Sequence, residues 1–242
     1  MNSSIFIRCE ILQMIRNRRF FIFSLVFPVF LYFLIAGSKR HELVYGIPFP
    51  RYNMAGMAAW GSMEAVIAGG SRIAAERSAG WTRQIRITPL STWRYFQAKV
   101  LSGYLMAILS VIAVSFAGTM LGVRQSLVEW SSMGGLILLG LIPFVVLGVL
   151  LGHILSVDSM GPATNGIIAV FALLGGAWGP LINGGFLGDV VQGIPSYWLV
   201  RSGKTAMGGL GWPARGWIVL VIWTGVLTLM AVRVYKRDTE RV

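Results

Sequence analysis

The chain has 242 residues, of which 55% are hydrophobic and only 12% are charged. Because a soluble domain usually carries about 25% charged residues, this composition excludes an ordinary water-soluble domain. The formal net charge of +12 would suggest a nucleic-acid partner in a soluble protein, but here the basic residues stand in short segments beside apolar runs, where they act as topology signals. We therefore expect one all-α polytopic membrane domain over residues 1–242, with no nucleic-acid partner.

The N-terminal segment, residues 3–19, is basic and precedes the first apolar run. At about 100° per residue, one side of a helix over these residues is apolar, whereas Glu10, Gln13 and Asn17 lie roughly opposite. The apolar side carries Ile7, Ile11, Met14 and Ile15. This pattern predicts an amphipathic helix in the membrane interface; the alternative is a frayed, polar start to the first spanning helix. In the run that follows, Pro28 can kink the helix without ending it.

Six apolar runs are long enough to cross a bilayer, which takes about 20 residues. The predicted spans are residues 20–37, 52–71, 98–123, 131–157, 163–180 and 214–233. Between the fourth and fifth spans, Asp158 to Pro162 predicts a short turn, because Gly161 and Pro162 are residues that end and restart helices. Before the sixth span, residues 183–211 hold two apolar stretches too short to cross, punctuated by Gly and Pro, which predicts a re-entrant helical hairpin.

Orientation follows from the distribution of basic residues. When the predicted connections are assigned alternately to the two sides, twice as many Lys and Arg residues fall on the side of the N-terminus. The positive-inside rule therefore predicts a multi-pass protein of the cell (plasma) membrane with both termini in the cytoplasm. The segment between the second and third spans shares that side.

Two ionisable residues lie inside predicted spans. Glu64 in the second span costs about 2.5 to 3.5 kcal/mol if it is charged at the bilayer centre. It is either a polar group that faces a substrate path, or a carboxyl group near a helix end or paired across the bundle. His153 in the fourth span fits a hydrogen-bonded packing residue better than a proton relay.

An enzymatic function is not supported by the sequence. The trio Gly203-Lys204-Thr205 resembles the end of a phosphate-binding loop, but that pattern requires Gly where this chain has Trp198. There is also no Cys/His cluster or paired-acid motif with metal-binding or catalytic spacing. We expect no catalytic residue, no metal site and no nucleotide site on this chain.

The segment between the second and third spans is basic and aromatic, in contrast to the runs around it. Residues 76–87 can form a helix, and Thr88-Pro89 predicts a break, because the residue before proline is pushed out of the helical region. Ser91 can then cap the helix that continues into the third span. On these grounds alone, a rigid foot beneath the membrane and a solvated loop that binds anionic lipid are equally good interpretations.

The motifs of this segment resemble a known family. The pattern Glu76-Arg77-x-x-Gly80, followed by Thr88-Pro89-Leu90-Ser91 and by Lys99 at the start of an apolar run, is similar to the permease subunits of ABC-2 type ATP-binding-cassette transporters. Within that family it looks like the branch with antibiotic and multidrug exporters. The stretch Ile194-Pro195-Ser196-Tyr197-Trp198-Leu199 resembles the family's segment before the last span.

The resemblance implies a division of labour between subunits. Residues 76–91 would contain a coupling helix that docks on a separately encoded ATPase, which binds ATP and magnesium, and the Asp158 turn would make a second contact. The implied coupling residues are Glu76, Arg77, Gly80, Trp81, Arg83, Thr88, Pro89, Leu90, Ser91 and Asp158. Trp81 departs from the small polar residue that many relatives carry there. Pro195, Ser196, Tyr197 and Trp198 would belong to an outer gate.

The assembly implied by the resemblance has two permease copies and two ATPase copies, with the first and fifth spans at the permease interface. We expect a homodimer, because a path at a two-fold interface suits a chain with so few spans. The expected function is ATP-driven export of an amphipathic, drug-like molecule. The alternatives are export of a lipid-linked glycan or polymer, or an ATPase-independent secondary transporter or channel. Few intramembrane ionisable residues and no inverted repeat argue against the last.

Overall fold

The computed structural model describes residues 3–80, 91–179, 185–205 and 212–240. Regular structure in these ranges is helical except for one short hairpin, which confirms the predicted all-α class. The helices are α1 (Ser3–Arg16), α2 (Arg18–Phe21), α3 (Phe27–Ser38), α4 (Phe49–Ser78), α5 (Thr92–Met120), α6 (Leu127–Gly140), α7 (Ile142–Ile154), α8 (Val157–Gly175), α9 (Gly185–Gln192), α10 (Pro195–Thr205) and α11 (Ala214–Glu240).

The first apolar run is helical throughout. A π-helical turn, Ile22–Val26, joins α2 to α3, and Pro28 stands in the first turn of α3. Proline has no backbone N–H, and a wider turn beside it accommodates the missing hydrogen bond. The helix therefore continues past Pro28, as predicted. After α3, strands β1 (Leu43–Val44) and β2 (Ile47–Pro48) form a small antiparallel hairpin.

Helix α4 forms the centre of the bundle. Nearly all of its side chains from Tyr52 to Ile67 are buried, and α3, α5, α7, α8 and α10 pack around it. Glycine allows several very close approaches: for example, a Cβ atom on Gly152 of α7 would lie 2.6 Å from the carbonyl oxygen of Gly70. The small residues of α4 and α7 therefore place two helix backbones almost in contact.

Within the described residues, four helical segments are long and apolar enough to cross a membrane: Trp93–Met120, Leu127–Ile154, Val157–Gly175 and Ala214–Arg237. They correspond to the predicted third to sixth spans. The predicted first span contains a shorter apolar helix, Ser24–Ser38. The predicted second span lies in α4, which is long enough to cross but less apolar, because it is covered by other helices. The chain is a polytopic membrane protein.

The predicted turn from Asp158 to Pro162 is wrong. The chain reverses at Leu155 and Ser156, and α8 begins at Val157 with Asp158 in its first turn. The Ser156 hydroxyl accepts a hydrogen bond from the backbone N–H of Ser159 and so caps the helix. Because this cap starts α8 upstream, Gly161 and Pro162 lie inside the helix and do not interrupt it.

The region before the last helix contains two short helices, α9 and α10, where the sequence predicts a hairpin. Helix α8 ends just before it at Gly176, whose φ of 68° is the left-handed conformation that glycine adopts without strain. The entry of α9 and α10 into the bilayer stays a prediction. Helix α11 continues beyond the predicted sixth span to Glu240 and carries Arg233, Lys236 and Arg237.

Candidate functional site

One end of the bundle, here named the Glu76 end, gathers the residues that flank the predicted coupling segment. Glu76 in the last turns of α4 binds the ammonium of Lys99 in α5, and its other carboxylate oxygen accepts a hydrogen bond from Tyr95 at 2.6 Å. Lys99 is only 4% exposed. The two helices that enter and leave the segment are therefore tied together by a shielded ion pair.

The N-terminal helix joins the same network. Glu10 of α1 binds Lys99 at 2.8 Å and Arg72 of α4 at 2.7 Å. The second guanidinium nitrogen of Arg72 donates to the Ser102 hydroxyl at 2.8 Å. Two carboxylates, Glu10 and Glu76, thus balance the charges of Arg72 and Lys99, and the cluster links α1, α4 and α5.

The prediction that Glu10 lies on the polar side of α1 is wrong. Glu10 is 3% exposed and Met14 is 1% exposed, so both face the bundle. Residues four positions apart are neighbours on one helix face, which was the available signal that Glu10 accompanies Met14 inward. What the sequence did not reveal is the pair of cations on α4 and α5 that makes burial of the carboxylate tolerable.

Arg77 and Gly80 fix the point at which the chain leaves α4. The guanidinium of Arg77 donates to the carbonyl oxygen of Leu155 at 2.8 Å, next to the reversal between α7 and α8. Gly80 has φ of 69°, and its N–H donates to the carbonyl of Arg77 at 3.1 Å. A left-handed residue in this position ends a helix with its carbonyls satisfied, and glycine adopts it without a steric penalty.

Ser91 caps the helix on the other side of the segment, as predicted. Its hydroxyl accepts a hydrogen bond from the backbone N–H of Arg94 at 3.4 Å, and α5 begins at Thr92. Asp158 is exposed in the first turn of α8, close in sequence to the Leu155 carbonyl that Arg77 binds. The remaining predicted coupling residues, Trp81, Arg83, Thr88, Pro89 and Leu90, lie outside the described residues.

His153 lies at the Glu76 end and is 6% exposed. Its Nδ1 is 2.9 Å from the carbonyl oxygen of Val149, and its ring packs against the rings of Phe96 and Tyr235. This environment is that of a hydrogen-bonded packing residue, which agrees with the sequence interpretation. It also attaches α11 to the helices of the ion network.

The predicted outer-gate residues lie at the opposite end, in the first turns of α10. Pro195, Ser196 and Trp198 are buried, and Tyr197 is partly buried. The indole N–H of Trp198 donates to the carbonyl of Gln192 at 2.7 Å and so joins α10 to the end of α9. The carbonyl of Ser196 lies against Gly175, where a Cβ atom would be 2.8 Å away. These residues therefore attach α9 and α10 to the end of α8.

Lys204 is a buried cation that the sequence did not identify. It lies in α10 and is 6% exposed. Its ammonium donates to the carbonyl oxygen of Gly176 at 3.2 Å and stands 3.8 Å from the ring centre of Tyr52 in α4. Burial lowers the pKa of Lys204 to about 7. The Gly203-Lys204-Thr205 trio is thus packed inside helical structure, which does not resemble a phosphate-binding loop.

A cavity of about 350 Å³ lies between α3, α4 and α8 and contains Glu64. Its walls are largely aromatic: the rings of Phe27 and Trp60 are 5.7 Å apart, and Trp60 stands edge-to-face on Trp178, also at 5.7 Å. Asn165 of α8 adds a polar group. Glu64 therefore lies beside an open volume, and none of the described residues forms a salt bridge with it within 4.0 Å. In the parts of the chain that the structure describes, no three His, Cys, Asp or Glu side chains are grouped so that they could hold a metal ion.

A protein of known sequence is similar to almost the whole chain. No family model matches the sequence. The chain is 26% identical over 236 residues to a protein of Bacillus subtilis (strain 168) described as "Putative transport permease YvfS", and the match covers 96% of each chain. The shared length includes the motifs at both ends of the bundle. This full-length similarity to a protein described as a transport permease supports the assignment that the motifs predict.

Proposed function

We propose that this chain is the transmembrane subunit of an ATP-driven exporter. The observation that carries the proposal is the pairing of Glu76 with Lys99. This pair holds the end of α4 against the start of α5, so a force applied to the chain between them acts on both long helices at once. The similarity to a transport permease supports a transport role.

The segment between Gly80 and Ser91 is the proposed docking site for the ATPase. Both of its borders are defined by specific local structure: a left-handed glycine ends α4 and a serine cap starts α5. Arg77 adds a third attachment, to the carbonyl of Leu155 beside the start of α8. Because these borders keep the ends of α4 and α5 from fraying, a movement of the segment is transmitted to both helices.

Two copies of the chain and two ATPase copies form the transporter in the plasma membrane, with the Glu76 end and both termini in the cytoplasm. ATP and magnesium bind the partner subunit. The cavity beside Glu64 lies between α3 and α8, the helices of the first and fifth spans, so a second copy placed against these helices would cover it. Its volume suits a small amphipathic molecule, since ligand pockets for such molecules measure about 300 to 1,000 Å³.

The test is coupled ATP hydrolysis by the chain co-expressed with the nucleotide-binding subunit of a neighbouring reading frame. We expect the two proteins to purify together and Glu76→Gln, Gly80→Ala and Pro89→Ala to abolish substrate-stimulated hydrolysis or assembly, while the chain still inserts in the membrane. Glu42→Gln is the matched control, because Glu42 is an exposed carboxylate paired only with Lys39 among the contacts that the structure describes. Unchanged coupled hydrolysis in all three variants would contradict the proposal.

A further inference from the structure

Three of the residues that line the cavity beside Glu64 carry a buried polar atom that has no partner among the described residues. One carboxylate oxygen of Glu64, Oε2, is shielded from solvent and accepts no hydrogen bond there. The indole N–H groups of Trp60 and Trp178 are likewise buried without an acceptor. Buried polar groups in folded proteins are nearly always satisfied, so three such groups in the residues that line one cavity need an explanation.

The charge balance of the cavity is also uneven. Its lining residues are Phe27, Leu31, Trp60, Glu64, Asn165, Ile168, Ala169 and Trp178, which include one acid and no base. The contrast with the Glu76 end is direct, because there the carboxylates of Glu10 and Glu76 both bind the buried ammonium of Lys99. A carboxylate with an ordinary structural role inside the bundle would be expected to have a similar partner.

The aromatic walls of the cavity favour organic cations as ligands. The faces of aromatic rings carry negative charge density and attract organic cations, with Trp the strongest of the three ring types. Phe27, Trp60 and Trp178 form a continuous chain of edge-to-face contacts along the cavity. A carboxylate next to a wall of Trp and Phe rings therefore recognises positive charge and apolar surface in one molecule.

We infer that the cavity between α3, α4 and α8 is a binding site for amphipathic organic cations, with Glu64 as the counter-ion and Trp60 and Trp178 as the surface on which the apolar part packs. This inference rests on the proposed transport function in so far as the bound cation is the transported molecule. A cation offsets the cost of a charged carboxylate within the membrane, which a neutral or anionic molecule cannot do.

The test compares two ions of nearly equal size and shape and opposite charge, tetraphenylphosphonium and tetraphenylborate. Binding is measured by equilibrium dialysis on the full chain in lipid nanodiscs, with and without the ATPase subunit, and the uptake by empty nanodiscs is subtracted. We expect saturable binding of the phosphonium cation. Because a hydrogen-bonded charged group contributes about 1.5 to 3 kcal/mol, Glu64→Gln should weaken this binding about tenfold or more.

Three further variants test whether binding depends on negative charge in the cavity. Glu64→Asp keeps the charge and should keep the preference for the cation, and Glu42→Gln, at an exposed carboxylate, should change nothing. Asn165→Asp adds a second carboxylate to the lining and should raise the affinity for the cation. This last variant tests the inference even if Glu64→Gln does not yield folded protein, since Asn165 is exposed on α8.

Equal binding of the two ions, or no loss in Glu64→Gln together with no gain in Asn165→Asp, would overturn the inference. Such a result would leave ATPase association and coupled hydrolysis in the same preparations unaffected, and the transport proposal would stand. Conversely, cation binding that depends on Glu64 in a chain that associates with no ATPase would retain the site and contradict the proposed energy source.

Discussion

The ammonium of Lys99 lies 2.8 Å from the carboxylate of Glu10, a residue 89 positions earlier in the chain. This contact attaches the N-terminal helix α1 to the start of α5, and the second carboxylate on Lys99, that of Glu76, extends the attachment to α4. Both partners of the first contact are almost completely buried. The network should therefore make a measurable contribution to the stability of the fold.

Replacement of the buried Lys99 should lower the free energy of unfolding. Lys99→Met leaves the buried carboxylate of Glu10 without one of its two cations, and breaking a buried ion pair from one side costs about 3 to 5 kcal/mol. The measurement is the free energy of unfolding in mixed micelles titrated with SDS. The control is Lys39→Met, which breaks an exposed pair with Glu42 and should cost no more than about 1 kcal/mol. Equal effects of the two variants would show that the buried network does not stabilise the fold.

Gly80→Ala should strain the end of α4. The φ of 69° at this position costs a residue with a Cβ atom about 1 to 2 kcal/mol. Gly166→Ala is the matched control, because Gly166 lies inside α8 with open space where a Cβ atom would be, and there alanine should stabilise by about 0.4 to 1 kcal/mol. Thermal unfolding of both variants in detergent would detect the difference. A stabilising effect of Gly80→Ala would contradict the role given to this glycine.

Gly152→Ala should disturb the packing of α7 on α4. A Cβ atom at this position would lie 2.6 Å from the carbonyl oxygen of Gly70, so the backbones must separate, and overpacking of this kind costs about 1 to 3 kcal/mol. Gly135, on α6, has no atom within 4 Å of the equivalent position. Gly135→Ala should therefore be neutral or stabilising in the same unfolding assay. If the two variants were equally stable, the close approach of α4 and α7 would not be present in the membrane.

The stability of the protein should depend on Lys204 in a pH-dependent way. Burial lowers the pKa of Lys204 from 10.5 to about 7, so between these values the unfolded chain binds a proton that the folded chain does not. Stability rises with pH wherever the unfolded state binds more protons. The free-energy cost of burying the amine of Lys204 therefore lowers the stability of the fold in full below about pH 7, and this loss of stability disappears as pH approaches 10.5.

The variant Lys204→Met removes the penalty and should be more stable than the wild type near neutral pH. The difference in the free energy of unfolding should shrink toward about pH 10, by at most about 1.4 kcal/mol per pH unit. Lys39→Met is the control, since Lys39 is exposed, and its difference from the wild type should stay constant over this range. A constant difference for Lys204→Met would mean that the amine stays protonated in the folded protein.

Much of the architecture could be predicted because it depends on local properties of the chain. The length of an apolar run determines whether a helix can cross a bilayer, and the four candidate spans among the described residues overlap the predicted third to sixth spans. The Ser91 cap was predicted for the same reason, since a serine before a helix acts through neighbours three residues away. The prediction of a turn from Asp158 to Pro162 was wrong because two local signals competed. The cap at Ser156 starts the helix upstream of Gly161 and Pro162, and these two residues do not interrupt it.

The sequence by itself determined the membrane class, the helical content and the motifs at Glu76 to Ser91, because hydropathy, capping and the conformational needs of glycine and proline are written in consecutive residues. Only the tertiary structure decided which helix is central, which charges pair and what Glu64 faces. The pairing of Glu10 with Lys99 and the aromatic cavity beside Glu64 join residues that are far apart in the chain. Such contacts depend on how helices pack against one another, and no local pattern of residues specifies that arrangement.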